Sequence, residues 1–111
     1  MKIKLLLGGV CLSATMMMPA HAIDDDCEQL VYDHGLASAA QFSCGFEFYN
    51  DNIITRAKQC RTQAVNEGIE EDFMILLRKG FDDFKESYKE TNSQYRLCKD
   101  FAEQYPSFVQ P

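Results

Sequence analysis

The chain has 111 residues, 46% of them hydrophobic and 12% aromatic, and its 17 acidic against 11 basic side chains give a formal net charge of −6. A chain of this length is expected to form one small domain. Apart from the adjacent Arg78-Lys79, its lysines and arginines are scattered singly, which argues against nucleic acid or an anionic membrane surface, both of which attract clustered cations.

Lys2 and Lys4 precede an uncharged run, Leu5 to Met18, and Pro19-Ala20-His21-Ala22 ends in the small-x-small pattern that signal peptidase reads. Residues 1–22 are therefore expected to be a secretory signal peptide cut after Ala22, leaving residues 23–111 as a single helical domain in the periplasm. The apolar run, about 14 residues, is shorter than the roughly 20 that a spanning helix needs, so no membrane anchor is expected to remain. Cleavage would leave 9 basic against 17 acidic residues and remove Cys11.

Four cysteines then remain, Cys27, Cys44, Cys60 and Cys98, an even number in a small exported chain, which implies two disulfides. Their spacings of 17, 16 and 38 residues contain no close pair of the kind zinc sites use, and His34 is the single histidine beyond the signal. No metal site and no cofactor are expected.

In chain order, Asp24-Asp25-Asp26 opens a helical pattern, where carboxylates cap free N–H groups and meet the positive end of the helix dipole. The first helix would bury Cys27, Leu30, Val31, Leu36, Ala39, Ala40 and Phe42, with Gly35 marking a bend, and would end near Cys44-Gly45. Asn50-Asp51-Asn52 caps a second helix, whose buried stripe Ile53, Ala57, Cys60 and Ala64 runs towards Gly68. Glu70-Glu71-Asp72 opens a third, with Phe73, Leu77, Phe81, Phe84 and Tyr88 on one face. Thr91-Asn92-Ser93 is a break before a fourth helix carrying Tyr95, Cys98, Phe101 or Ala102, and Tyr105, which Pro106 stops. The tail residues Phe108 and Val109 are expected to fold back onto the core.

Short connections between four helices imply an all-α fold, a small up-and-down four-helix bundle stapled by two disulfides. With alternating helices, Cys44 at the end of the first lies within reach of Cys98 near the start of the fourth, which leaves Cys27 for Cys60. The other two pairings are possible but require larger vertical offsets.

Catalytic chemistry is not expected. His34, next to Asp33 and Gly35 on the first helix, is a lone histidine of the kind that is solvent-exposed or locally hydrogen-bonded, and bonded cysteines cannot attack a substrate. Glu47, between Phe46 and Phe48, and Asp82-Asp83, between Phe81 and Phe84, fall between core aromatics as the solvated side of an amphipathic helix does. The aromatic surplus is more telling, because Phe46, Phe48 and Tyr49 cluster in the connection between the first two helices. They either pack beneath the loop or form a partner-binding patch.

Cys44-Gly45-Phe46 with Ile54, Arg56-Ala57 and Cys98-Lys99 resembles the small four-helix pilotins of the PulS/OutS type, over about Leu36 to Tyr105. The resemblance implies a disulfide at the corresponding positions and an interhelical groove that captures the C-terminal helix of a secretin subunit and helps it reach the outer membrane. Cys27 and Cys60 are additional to that pattern. Gly80-Phe81, Phe84, Tyr88 and Cys98 also resemble an uncharacterised family of small exported bacterial proteins, which implies no function. In size and class the chain is similar to periplasmic immunity proteins of toxin-secreting systems.

The expected role is thus a non-enzymatic periplasmic module that binds another protein, first as a pilotin-like carrier. An immunity protein or enzyme inhibitor is the alternative, its acidic surface masking a basic cleft. An acid-stress chaperone is third, since carboxylates that lose charge as pH falls could let aromatic surface open.

Overall fold

A computed structural model of the chain describes residues 23–111; the expected signal segment, residues 1–22, lies outside the described residues. Four helices follow one another: α1 (Asp25–Cys44), α2 (Asp51–Asn66), α3 (Glu70–Glu90) and α4 (Gln94–Gln104). Two short strands, β1 (Phe48–Tyr49) and β2 (Val109–Gln110), complete the fold.

The helix ends follow from local chemistry. Asp24 stands at the N-cap of α1, but its side chain accepts no capping bond; Asp25, Asp26 and Glu28 in the first turn act instead through the dipole. Gly45, at φ 68° and ψ 41°, closes α1 in the left-handed conformation, its N–H bonded to the Gln41 carbonyl. The Asn50 side chain accepts the Asn52 N–H at 2.9 Å to start α2. The Ser93 hydroxyl likewise accepts the Arg96 N–H at 3.1 Å to start α4.

Helix directions can be read from neighbours. Gly35 of α1 lies against Leu77 and Phe81 of α3, and Gly80 of α3 lies against Tyr32 and Leu36 of α1. Further along, the Tyr88 hydroxyl donates to the Ser43 carbonyl at 3.3 Å. Residue numbers rise together, so α1 and α3 run parallel. Near the start of α1, Cys27 is bonded to Cys60 in the second half of α2 (Cα–Cα 5.7 Å). At its end, Cys44 is bonded to Cys98 in the first half of α4 (Cα–Cα 5.8 Å). Both pairings match those expected, and α2 and α4 run opposite to α1 and α3.

The up-and-down order is therefore present, with an uneven cross-section. First and third helices of a square bundle stand diagonally apart, whereas here they touch through Gly35 and Gly80. α1 passes through Gly35 unbroken, and the missing side chain there lets a backbone approach. The middle of α1 is buried around most of its circumference, by Leu30, Val31, Gly35, Ala37, Ala39 and Ala40, because α2, α3 and α4 all pack on it. Alanine and glycine there admit three neighbours at once.

The expected stripe of α2, Ile53, Ala57, Cys60 and Ala64, is buried throughout. Phe73 and Phe84 of α3 are buried, with Leu77, Phe81 and Tyr88 half-buried against the core. Both Phe101 and Ala102 of α4 are buried. Two expected core residues are not: Phe42 is 84% and Tyr95 79% exposed. Cys44 ends α1 level with Cys98, so α1 offers nothing opposite the first turn of α4, where Tyr95 sits. Phe42 occupies the last turn of α1 on a side that no other element covers.

The tail folds back, with Phe108 and Val109 buried. It does so as a strand, which periodicity did not announce: β1 and β2 pair antiparallel, Phe48 with Gln110 and Tyr49 with Val109. Asn50 fixes the return, its N–H donating to the Phe108 carbonyl and its side-chain amide to the Ser107 carbonyl, each at 2.9 Å.

Candidate functional site

Where α1 stops and α4 begins, the bundle leaves two open grooves. One, of about 570 Å³, is bordered by the Cys44–Cys98 bridge, Phe46, Tyr95 and Ala102, with Lys99 and Glu103 on its rim and Pro111 at one end. The second, of about 580 Å³, is bordered by Ser43, Tyr88 and Gln94, with Asp82, Lys85, Glu86 and Lys89 around it. Ser43 adjoins Cys44 and Gln94 adjoins Tyr95, so the grooves flank a single junction between the two helices. The first is largely apolar and the second charged.

The candidate partner-binding residues separate. Phe46 is buried and stacks on Phe101, centroids 6.3 Å apart, while its carbonyl accepts the Gln41 side-chain amide. It belongs to the core and shows one edge to the apolar groove. Phe48 is 49% exposed on β1. Tyr49 is half-buried, its hydroxyl 2.6 Å from His34 Nδ1 and its ring edge-on to the imidazole. The three aromatics thus form no continuous patch.

Tyr95, Ala102, Lys99 and Glu103 complete the groove, and none had been singled out as a site residue. A signal was nonetheless present. Once Cys44 is tied to Cys98, Tyr95 must stand a turn beyond the end of α1.

The remaining candidates have structural explanations. Burial lowers the pKa of His34 and, with a side-chain bond to Ser38 acting the other way, pushes Tyr49 up to about 12. Both therefore stay neutral near pH 7, and their hydrogen bond ties α1 to β1. Asp83 accepts the Tyr32 hydroxyl at 2.5 Å and the Lys79 ammonium at 3.0 Å, tying α1 to α3. Glu47 and Asp82 are exposed. Among the described residues no group of histidine, cysteine and carboxylate side chains is placed to hold a metal ion, and no helix is long and apolar enough to cross a membrane.

No protein-family model matches the chain, no curated protein is similar to it at a significant level, and no solved structure matches it.

Proposed function

We propose that the chain is a small exported protein-binding module, without enzymatic activity, whose apolar groove beside the Cys44–Cys98 bridge takes up a helical segment of another protein in the manner of the secretin pilotins. The supporting observation is the groove itself: about 570 Å³ of open space with an apolar lining and an exposed tyrosine at its edge, on an otherwise acidic protein. An amphipathic helix binds by laying its apolar face into such a trough. Lys99 and Glu103 pair with each other at 3.4 Å on the rim, so local charge neither attracts nor repels such a segment strongly. Two disulfides accord with an oxidising compartment such as the periplasm.

Titration of the isotope-labelled protein with the C-terminal helical peptide of a secretin subunit tests this reading. Amide shifts are expected to concentrate at Cys44, Phe46, Tyr95, Cys98 and Ala102, and Tyr95→Asp should weaken binding by about tenfold or more. Absence of binding, or shifts away from the groove, would reject it.

A second reading, an inhibitor of a basic toxin, draws on the opposite end. Parallel α1 and α3 bring Asp25, Asp26 and Glu28 to the same end as Glu70, Glu71 and Asp72. Such a surface complements a basic cleft. Its binding would weaken steeply with salt, unlike uptake into the apolar groove.

A further inference from the structure

The two disulfides occupy opposite surroundings. Cys60 is buried, and the space beside the Cys27–Cys60 bridge measures about 10 Å³, hardly room for one water. Asp24 and Glu67 border it, and Arg61, next to Cys60 in sequence, is already engaged by Glu70 at 2.8 Å. Cys27 is half-exposed, but an approaching thiolate finds almost no space beside it and meets negative charge. The Cys44–Cys98 bridge instead has both cysteines half-exposed on the open groove of about 570 Å³, with the charge-balanced Lys99–Glu103 pair beside it.

We infer that the Cys44–Cys98 bridge is a thiol–disulfide exchange site, open to an external dithiol reductant that enters along the apolar groove, while the Cys27–Cys60 bridge stays closed to it. The two sulfurs are not equivalent. Cys44 lies in the last turn of α1, where carbonyls collect the negative end of the dipole and no basic residue compensates. Cys98 lies just past the first turn of α4, towards the positive end of its dipole and beside the Lys99–Glu103 pair, which is neutral overall, and is the better seat for a thiolate. The incoming thiolate attacks Cys44 Sγ, forms a mixed disulfide there and expels Cys98 as thiolate, which takes a proton from water. The reductant's second thiolate then attacks its own sulfur in that mixed disulfide and releases Cys44 as the second thiol. Two electrons pass from the reductant, which leaves as a disulfide, to the bridge.

Release of this bridge frees the groove's side wall without removing the core. Phe101 still stacks on Phe46 and Tyr105 and meets Phe84 edge-on at 5.4 Å, holding α4 to the bundle. Reduction therefore widens the groove in a domain still pinned by Cys27–Cys60.

The test exposes the oxidised, native protein to limiting dithiothreitol, quenches with iodoacetamide at intervals and maps the labelled cysteines, with helicity followed in parallel. Cys44 and Cys98 should label together at a rate at least about tenfold above Cys27 and Cys60, with helicity retained. Equal rates, or earlier labelling of Cys27 and Cys60, would overturn the inference. A second arm uses limiting glutathione with a rapid acid quench, which traps the first mixed disulfide before a second thiol resolves it. The adduct is expected on Cys44, and an adduct mainly on Cys98 would overturn the assignment of the leaving sulfur. Lys99→Glu, a surface change, should slow exchange at Cys44–Cys98 about threefold and leave Cys27–Cys60 unaffected; an unchanged rate would remove the electrostatic part of the argument.

Discussion

Gly35 and Gly80 face each other where α1 crosses α3, each set against the backbone of the other's helix. A β-carbon on Gly35 would collide with the Leu77 carbonyl oxygen and stand 3.0 Å from the Phe81 nitrogen. One on Gly80 would collide with the Tyr32 carbonyl oxygen and stand 3.0 Å from the Leu36 nitrogen. Backbone cannot rotate aside as a side chain does. Gly35→Ala and Gly80→Ala should each cost about 2–4 kcal/mol, read from urea unfolding, despite alanine's better helix propensity. Gly68→Ala provides the contrast: open space surrounds it, so only its φ of 76° opposes a side chain, and the loss should be about 1–2 kcal/mol.

The two bridges close loops of different length. Cys27–Cys60 spans 33 positions and Cys44–Cys98 spans 54. Restriction of the unfolded chain then stabilises the fold by about 4 kcal/mol for each, slightly more for the longer loop. Replacing both members of either pair by alanine should lower the denaturation midpoint by a similar amount, and replacing all four should leave a domain that unfolds at or near room temperature.

The Tyr32–Asp83 bond links α1 to α3 and gives stability a signature at both ends of the pH scale. The Tyr32 hydroxyl first, then Lys79, holds the Asp83 carboxyl below its ordinary value of 3.8. The folded state therefore takes up the proton less readily than the unfolded one, so this contribution is complete above that value and is lost as pH falls through the folded pKa. For Tyr32 the hydrogen bond to Asp83, then burial, raises the pKa from 10.0 to about 12. Here the contribution is complete below pH 10 and is lost as pH rises towards about 12. Thermal melts of Tyr32→Phe and Asp83→Asn should show weaker pH dependence in both windows, and the double variant should resemble either single one.

His34 governs the range between. Burial lowers its pKa below the ordinary 6.5, so the unfolded chain binds the proton more strongly. Stability from the neutral imidazole is complete above that value and is lost as pH falls through the lowered pKa. Protonation also makes Nδ1 a donor, so the Tyr49 hydroxyl must then accept for the tie between α1 and β1 to persist. The melting temperature should decline between pH 7 and 5, and His34→Gln should flatten that slope.

Much of the fold was legible because local rules sufficed. Asn50 and Ser93 cap as their residue types suggest, Ile53, Ala57, Cys60 and Ala64 form the buried face that their spacing describes, and alternation of four short helices selected one disulfide pairing from three. What escaped was tertiary. A glycine within a helix can mark a bend or admit a neighbour, and Gly35 yields its meaning only when Gly80 is seen opposite. Phe42 and Tyr95 have the right periodicity to be buried, but no helix reaches far enough to cover them. The two-residue strands are too short for any alternation to register. The groove was hidden for the same reason, being made by the end of α1 and the beginning of α4 rather than by a run of sequence.

Which end of the bundle meets a partner can be decided by photo-crosslinking in the producing cell. A benzophenone side chain is placed at position 95, on the edge of the apolar groove, and in a parallel variant at position 71, at the acidic end. Uptake of a helix beside the Cys44–Cys98 bridge predicts a discrete crosslinked protein from position 95, suppressed by the secretin-derived peptide, and none from position 71. A crosslink confined to position 71 would contradict it and place recognition on the carboxylates.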